Sequence, residues 1–156
     1  MSEKLQIRDL DPQFKDEVAR EPGCHHLLRC FSCGVCTATC PVSEIEPGFS
    51  PSLIIRQVLY GLRARVLSSP ALWYCARCAN CSFQCPQDVR FLDIVQGLRR
   101  IALRQGTVSR ELAARLAAGE QLIQELRRRL ISSLLAGPAE QEIKETLARL
   151  LTDLDK

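Results

Sequence analysis

Aromatic residues are scarce in this sequence: five Phe, two Tyr and one Trp among 156 residues. A surface that binds nucleic acid interleaves such rings with a basic stripe. Here the one basic run, Arg127 to Arg129, stands alone inside a helical pattern, which excludes that class of partner. The glycines are dispersed, and no two of Gly23, Gly34, Gly48, Gly61, Gly97, Gly106, Gly119 and Gly137 stand at the G-x-G spacing of a dinucleotide-binding turn. The N-terminus has no apolar stretch of leader length, and runs such as LISSLLAG fall far short of the ~20 apolar residues of a membrane span. A cytoplasmic protein with no membrane span is expected. Strand-like alternation is almost absent as well.

Cysteine, by contrast, occurs nine times, and in a reducing compartment such a count argues for metal rather than disulfides. Eight of the nine fall in two runs, CFSCGVCTATCP at 30–41 and CARCANCSFQCP at 75–86, both C-x2-C-x2-C-x3-C-P. Zinc ribbons use two separated C-x2-C pairs and need neither a third cysteine three residues on nor a trailing Cys-Pro. The triple run with a distant fourth is the iron-sulfur spacing, in which three cysteines wrap one cubane and the fourth reaches the other. The expected sets are therefore Cys30, Cys33, Cys36 and Cys85 for one [4Fe-4S] cluster, and Cys75, Cys78, Cys81 and Cys40 for the second. Zinc, a [2Fe-2S] centre and a disulfide scaffold are the alternatives. Small residues within the runs (Gly34, Ala38, Ala76, Ala79, Ser82) suit backbone passing close to an inorganic core, and Pro41 and Pro86 turn the chain out of each loop.

The sequence between and after the runs is helical. Ser50-Pro51 offers an N-cap followed by proline, and Ile54, Val58, Leu62 and Val66 then recur every four residues, flanked by Ile55 and Leu59. Ser69-Pro70 starts a short helix into Trp73-Tyr74. Asp88 is placed to cap a helix whose Phe91, Ile94, Val95, Leu98, Ile101 and Ala102 form one apolar face, ending at Gly106. Beyond it, Leu112, Leu116, Ile123, Leu126, Leu130 and Leu134 keep helical spacing, Gly137-Pro138 breaks it, and Ile143, Leu147, Leu150, Leu151 and Leu154 resume it. The expected architecture is mainly α. It comprises an N-terminal segment (1–23), an α-helical ferredoxin domain binding two [4Fe-4S] clusters (24–106) and a C-terminal helical hairpin for partner docking (107–156).

Residues 10–106 resemble the C subunit of heterodisulfide reductase in the opening LDPQF, both cysteine runs, the junction RVLSSPALWYC and the segment DVRFLDIVQGLRRIALRQG. Paired runs alone also occur in the iron-sulfur subunits of other dehydrogenases; the Trp-Tyr-Cys junction and the Leu-Arg-Arg helix favour the reductase. The resemblance implies a non-catalytic electron-transfer subunit of a hetero-oligomeric oxidoreductase. Electrons would pass singly from a flavoprotein like the reductase's A subunit, through the two clusters, to a catalytic protein like its B subunit. No Cys-Cys-Gly pair, the motif that the resemblance assigns to the catalytic partner, occurs here. The alternatives are a free diffusible two-cluster ferredoxin, or the iron-sulfur subunit of another membrane-associated or cytosolic dehydrogenase. A free carrier is usually short and acidic, whereas this chain is near neutral and continues for 50 residues past Gly106.

Charge agrees with the cluster reading. Lys plus Arg against Asp plus Glu is 4 to 6 over 1–23, 9 to 4 over 24–106 and 8 to 8 over 107–156, so the whole excess lies in the cysteine-rich part. Two cubanes with four thiolates each bring about −4, and about −6 once both are reduced, which this excess offsets. Cys24 is expected to be a spectator thiol, and His25 and His26 packing or surface residues. Trp73, Tyr74, Phe31 and Phe83 are expected to shield the clusters from water.

Overall fold

A computed structural model describes residues 6–136 together with 145, 147, 148 and 152. The chain divides into two compact units, Met1–Ser109 and Arg110–Lys156. Among the described residues the fold is mainly α and contains no strand.

The first unit is built from seven α-helices: α1 (Phe14–Ala19), α2 (Val35–Ala38), α3 (Pro41–Ile45), α4 (Pro51–Leu59), α5 (Arg63–Leu67), α6 (Asn80–Phe83) and α7 (Phe91–Arg104). Three 3-10 turns join them at Ile7–Asp9, Leu27–Arg29 and Pro70–Trp73. α7 is the central element, and its predicted apolar face is its buried face: Phe91, Ile94, Val95, Leu98, Ile101 and Ala102 are all removed from water. Packed around it are Phe14 and Val18 from α1, Ile55 and Val58 from α4, Val66 from α5, and Leu72 from the last 3-10 turn. Each such side chain contributes roughly 1.5–3 kcal/mol by leaving water.

Helix starts follow the local chemistry. The Ser50 hydroxyl accepts the Leu53 amide with Pro51 in the first turn, and the Ser69 hydroxyl accepts the Ala71 amide ahead of Pro70. Two expectations are corrected. The four-residue period from Ile54 to Val66 reads as one helix, but the chain breaks at Gly61, where φ is +76°. The Asp11 amide donates to the Gly61 carbonyl at 2.8 Å, and any side chain at 61 would run into the Asp11 backbone. The close approach of the N-terminal segment therefore ends α4 and starts α5. Arg63 secures the same approach, donating to Asp11 at 2.9 Å and Glu17 at 2.6 Å with its guanidinium 5.1 Å from the Phe14 ring centre. The second correction concerns Asp88, which does not cap α7. The N-cap position belongs to Arg90, in left-handed conformation and without a side-chain cap bond, because Asp88 is engaged by His26.

The second unit contains α8 (Arg110–Ala136), a continuous helix on which no residue is buried. Glu125 takes hydrogen bonds from Arg128 and Arg129 along its surface. Gly137-Pro138 and most of the second arm of the expected hairpin lie outside the described residues. Residues 145, 147, 148 and 152 are helical, consistent with that arm. Among the described residues no helix is long and apolar enough to cross a membrane.

Two cysteine-lined cavities

The two cysteine runs fold as copies of one loop. In each, the second and fourth residues after the first cysteine take left-handed backbone angles: Ser32 (φ 60°) and Gly34 (φ 83°) in the first, Arg77 (φ 56°) and Ala79 (φ 64°) in the second. A short helix follows, α2 or α6, and these two helices pack against each other. Only at 34 is the left-handed residue a glycine; at a residue with a Cβ the conformation costs roughly 1–2 kcal/mol. The turn at Ser32 aims its backbone amide at sulfur, 3.4 Å from Cys30. Past the end of the second run, the Val89 amide lies 3.4 Å from the Cys85 sulfur. Cys40 is the N-cap of α3, whose first turn holds Pro41. The first loop is fastened to α4 through Thr37, whose hydroxyl lies 2.8 Å from that of Ser52 and accepts the Ser52 amide at 3.0 Å.

Two cavities open beside these loops. Cys30, Cys33, Cys36 and Cys85 line the first, together with Cys81, in a space of about 400 Å³ partly open to solvent. Cys40, Cys75, Cys78 and Cys81 line the second, about 310 Å³. Each cavity thus combines three cysteines of one run with the last cysteine of the other, while Cys81 and Phe91 stand in the wall between them. Cys40 and Cys81 are buried, Cys33 and Cys78 are exposed, and the other four are intermediate. Among the described residues no three His, Cys, Asp or Glu side chains converge on a point where a single ion would sit. The thiols stand apart around each space instead.

As free thiols, Cys36, Cys75 and Cys81 resist ionisation. Burial, reinforced by Cys30, Cys81, Cys33 and Cys85, pushes Cys36 up to about 11; burial with Cys75, Cys78 and Cys40 does the same to Cys81. Burial also raises Cys75, against the Arg77 amide and the Arg99 guanidinium, which favour its anion. Four sulfurs facing one small space therefore need a positively charged core between them. An all-sulfur donor set of four per cavity, with apolar walls from Val35, Ile55, Val42, Phe49 and Phe91, fits a [4Fe-4S] core that takes one thiolate at each iron.

Around the cavities, Phe83 and Phe31 differ from expectation. Phe83 is 93% exposed, so it shields nothing within this chain. Phe31 lines the first cavity but is itself largely in solvent. Cys24 is fully buried, and its thiol donates to the Asp93 carbonyl at 3.2 Å. Cys24 lines neither cavity, and His26 has a packing role: its Nδ1 lies 2.9 Å from the Asp88 carbonyl oxygen and 3.1 Å from the Asp88 carboxylate, tying the start of the first loop to the end of the second. Sequence reasoning missed Arg99, which is 9% exposed. Its Nε donates to the Leu72 carbonyl at 2.7 Å, and its guanidinium lies 5.1 Å from the Trp73 ring centre. The available signal was its register on α7, four residues after Val95 and three before Ala102, on the apolar face.

A family model described as a 4Fe-4S dicluster domain matches residues 26–89. The chain is 35% identical over 98 residues to the C subunit of the H(2):CoB-CoM heterodisulfide,ferredoxin reductase of Methanothermobacter thermautotrophicus, covering 63% of this chain and 52% of that one. It is 39% identical over 103 residues to the C subunit of the ferredoxin:CoB-CoM heterodisulfide reductase of Methanosarcina acetivorans, covering 66% and 41%. To the iron-sulfur C subunit of the CoB--CoM heterodisulfide reductase of Methanopyrus kandleri it is 31% identical over 113 residues, covering 68% and 58%. The chain spans about half the length of the curated relatives it matches. It is a homologue of the C subunit of heterodisulfide reductase, with a dicluster domain whose cofactors are two [4Fe-4S] clusters.

Proposed function

We propose that this chain is the single-electron relay of a cytoplasmic heterodisulfide reductase-like complex. It takes electrons from a flavoprotein like the reductase's A subunit and hands them to a protein like its B subunit, which carries out the disulfide chemistry. The carrying observation is the pair of adjacent cavities, each lined by three cysteines of one run and the last cysteine of the other. On this reading Cys30, Cys33, Cys36 and Cys85 hold one [4Fe-4S] cluster, and Cys75, Cys78, Cys81 and Cys40 hold the second. Each cluster supplies a one-electron couple between 2+ and 1+ cores and no two-electron chemistry.

The protein's own residues supply the rest. Cys81 and Phe91 line both cavities and form their common wall, which keeps the two sites adjacent. Cys33 and Cys78 give each site one solvent-facing corner through which an electron enters or leaves. Amides such as those of Ser32 and Val89 donate hydrogen bonds to the sulfurs they face. Residues 107–156 serve as a docking arm that holds the dicluster unit near its partners.

The reading is tested with the anaerobically purified chain and its co-purifying subunits. Chemically reduced chain is expected to reoxidise when the flavoprotein or the disulfide-cleaving partner is added, while the chain alone turns over no heterodisulfide. Heterodisulfide cleavage by the isolated chain, or failure to exchange electrons with any co-purifying subunit, overturns it.

A further inference from the structure

The two loops are near copies in backbone, yet their electrostatic surroundings differ. Among the described residues lining the first cavity, the only ionisable groups are thiols; the polar remainder is Ser32, Ser52 and Gln87. The second cavity has Arg77 in its lining, at the loop position that Ser32 occupies in the first. Arg99, which lines neither cavity, stands near the start of the second loop. Its guanidinium contacts the Leu72 carbonyl at 2.7 Å and lies 5.1 Å from the Trp73 ring centre, and Trp73 lies two residues before Cys75. The burial of Arg99, at 9% exposure, matters because a fixed charge in a low-dielectric setting is screened little by water or salt.

Reduction adds one negative charge to a cluster and moves no atom into or out of it, so a nearby fixed cation favours the reduced state. Net charge and hydrogen bonding around the cluster are the protein's means of setting its potential. We infer that Arg99, assisted by Arg77, makes the cluster of the second cavity the more easily reduced of the two, so that an electron entering the domain comes to rest beside Cys75. Arg99 is a positioning residue for charge rather than a ligand. The inference rests on the crossed two-cluster reading and adds to it an order of potentials, with the second cavity as the electron's resting place.

The experiment is an anaerobic potentiometric titration of the full chain with redox mediators, followed by EPR. The Cys33→Ser and Cys78→Ser variants assign each signal to its cavity. In the unaltered chain the second-cavity cluster is expected to reduce at the higher potential. Arg99→Gln is expected to lower the ratio of reduced to oxidised second cluster at a fixed potential roughly tenfold, about 59 mV for a one-electron couple, with a smaller effect on the first cluster. Arg99→Lys, which keeps the charge, should restore most of the shift. Arg77→Gln should shift the same cluster less, by an amount that shrinks as salt is raised. A higher midpoint for the first-cavity cluster, or an Arg99→Gln shift equal at both clusters, overturns the inference while leaving the two-cluster reading intact. If Arg99→Gln does not hold its clusters, the order in the unaltered chain and the Arg77→Gln shift decide. A chain with only one EPR-distinguishable cluster overturns the site reading and this inference with it.

Discussion

The sulfur of Cys24 occupies the space that a side chain at Gly97 would need: a Cβ there would lie 2.8 Å from it and 3.1 Å from the Glu21 Cβ. Glycine inside a helix costs about 1 kcal/mol relative to alanine, so its presence in the middle of α7 is a packing requirement.

From this contact a double-mutant result follows. Gly97→Ala should destabilise the protein by about 1–3 kcal/mol despite its better helix propensity, because the core there is full. Cys24→Ala alone should leave iron content unchanged, since this thiol bonds to the Asp93 carbonyl and lines neither cavity. Combining the two should recover part of the Gly97→Ala loss, a coupling of about 0.5–3 kcal/mol. Urea unfolding of the cluster-loaded proteins, followed by cluster absorbance, measures all three terms; strict additivity would refute the steric explanation.

Cofactor content and the crossed ligand sets are checked together. Anaerobically purified chain should hold eight irons and eight acid-labile sulfides, four of each per cluster. Cys40→Ser should disturb the EPR signal of the cluster in the second cavity, where Cys40 stands with Cys75 and Cys78, rather than that of its own run. Zinc in place of iron, or iron near two per chain, contradicts the cluster assignment; an effect of Cys40→Ser confined to the first-run cluster contradicts the crossing.

Glu21 gives a pH dependence. Burial alone would raise its carboxyl, but hydrogen bonds from Arg100 and Arg104 outweigh burial and hold it below its ordinary 4.5. A carboxyl whose folded pKa is depressed stabilises the fold above the unfolded pKa and loses that contribution as pH falls through the folded one. Glu21→Gln should therefore cost about 1–3 kcal/mol at neutral pH, and the gap to the parent protein should narrow as pH drops below about 4.5. Initial unfolding rates in urea across that range report it. A gap independent of pH would mean that Glu21 acts through packing alone.

The tail is tested by truncation. Along α8, Leu122 and Ile123 are more than half exposed and Leu135 is 83% exposed, which leaves apolar area for a partner. A chain ending at Gly106 should retain eight irons, because every cavity-lining cysteine precedes that point, yet it should no longer co-elute with partner subunits in size-exclusion chromatography. Co-elution equal to that of the full chain would assign the tail to local packing.

Much of this was legible in the sequence. The duplicated cysteine spacing is a local signal, since three thiols at i, i+3 and i+6 can wrap only what lies within one loop, and it announced the cofactor. The Ser-Pro caps at 50 and 69 and the apolar stripe of α7 depend on neighbours within a turn or two, so they too could be read from the chain alone. What the tertiary structure decided are relations between distant segments. The period from Ile54 to Val66 predicts one helix, but the approach of Asp11 to Gly61, 50 residues apart in sequence, splits it. Asp88 has the chemistry of a cap, but a histidine from the other loop claims it. Arg99 reads as one more surface arginine until α7 is packed against the turn before Cys75, which buries the charge near the start of the second loop. Two nearly identical motifs can specify two nearly identical loops; beyond the exchange of Ser32 for Arg77, which the sequence shows, the packing around them makes the two sites unequal, because electrostatics depends on distance through space rather than along the chain.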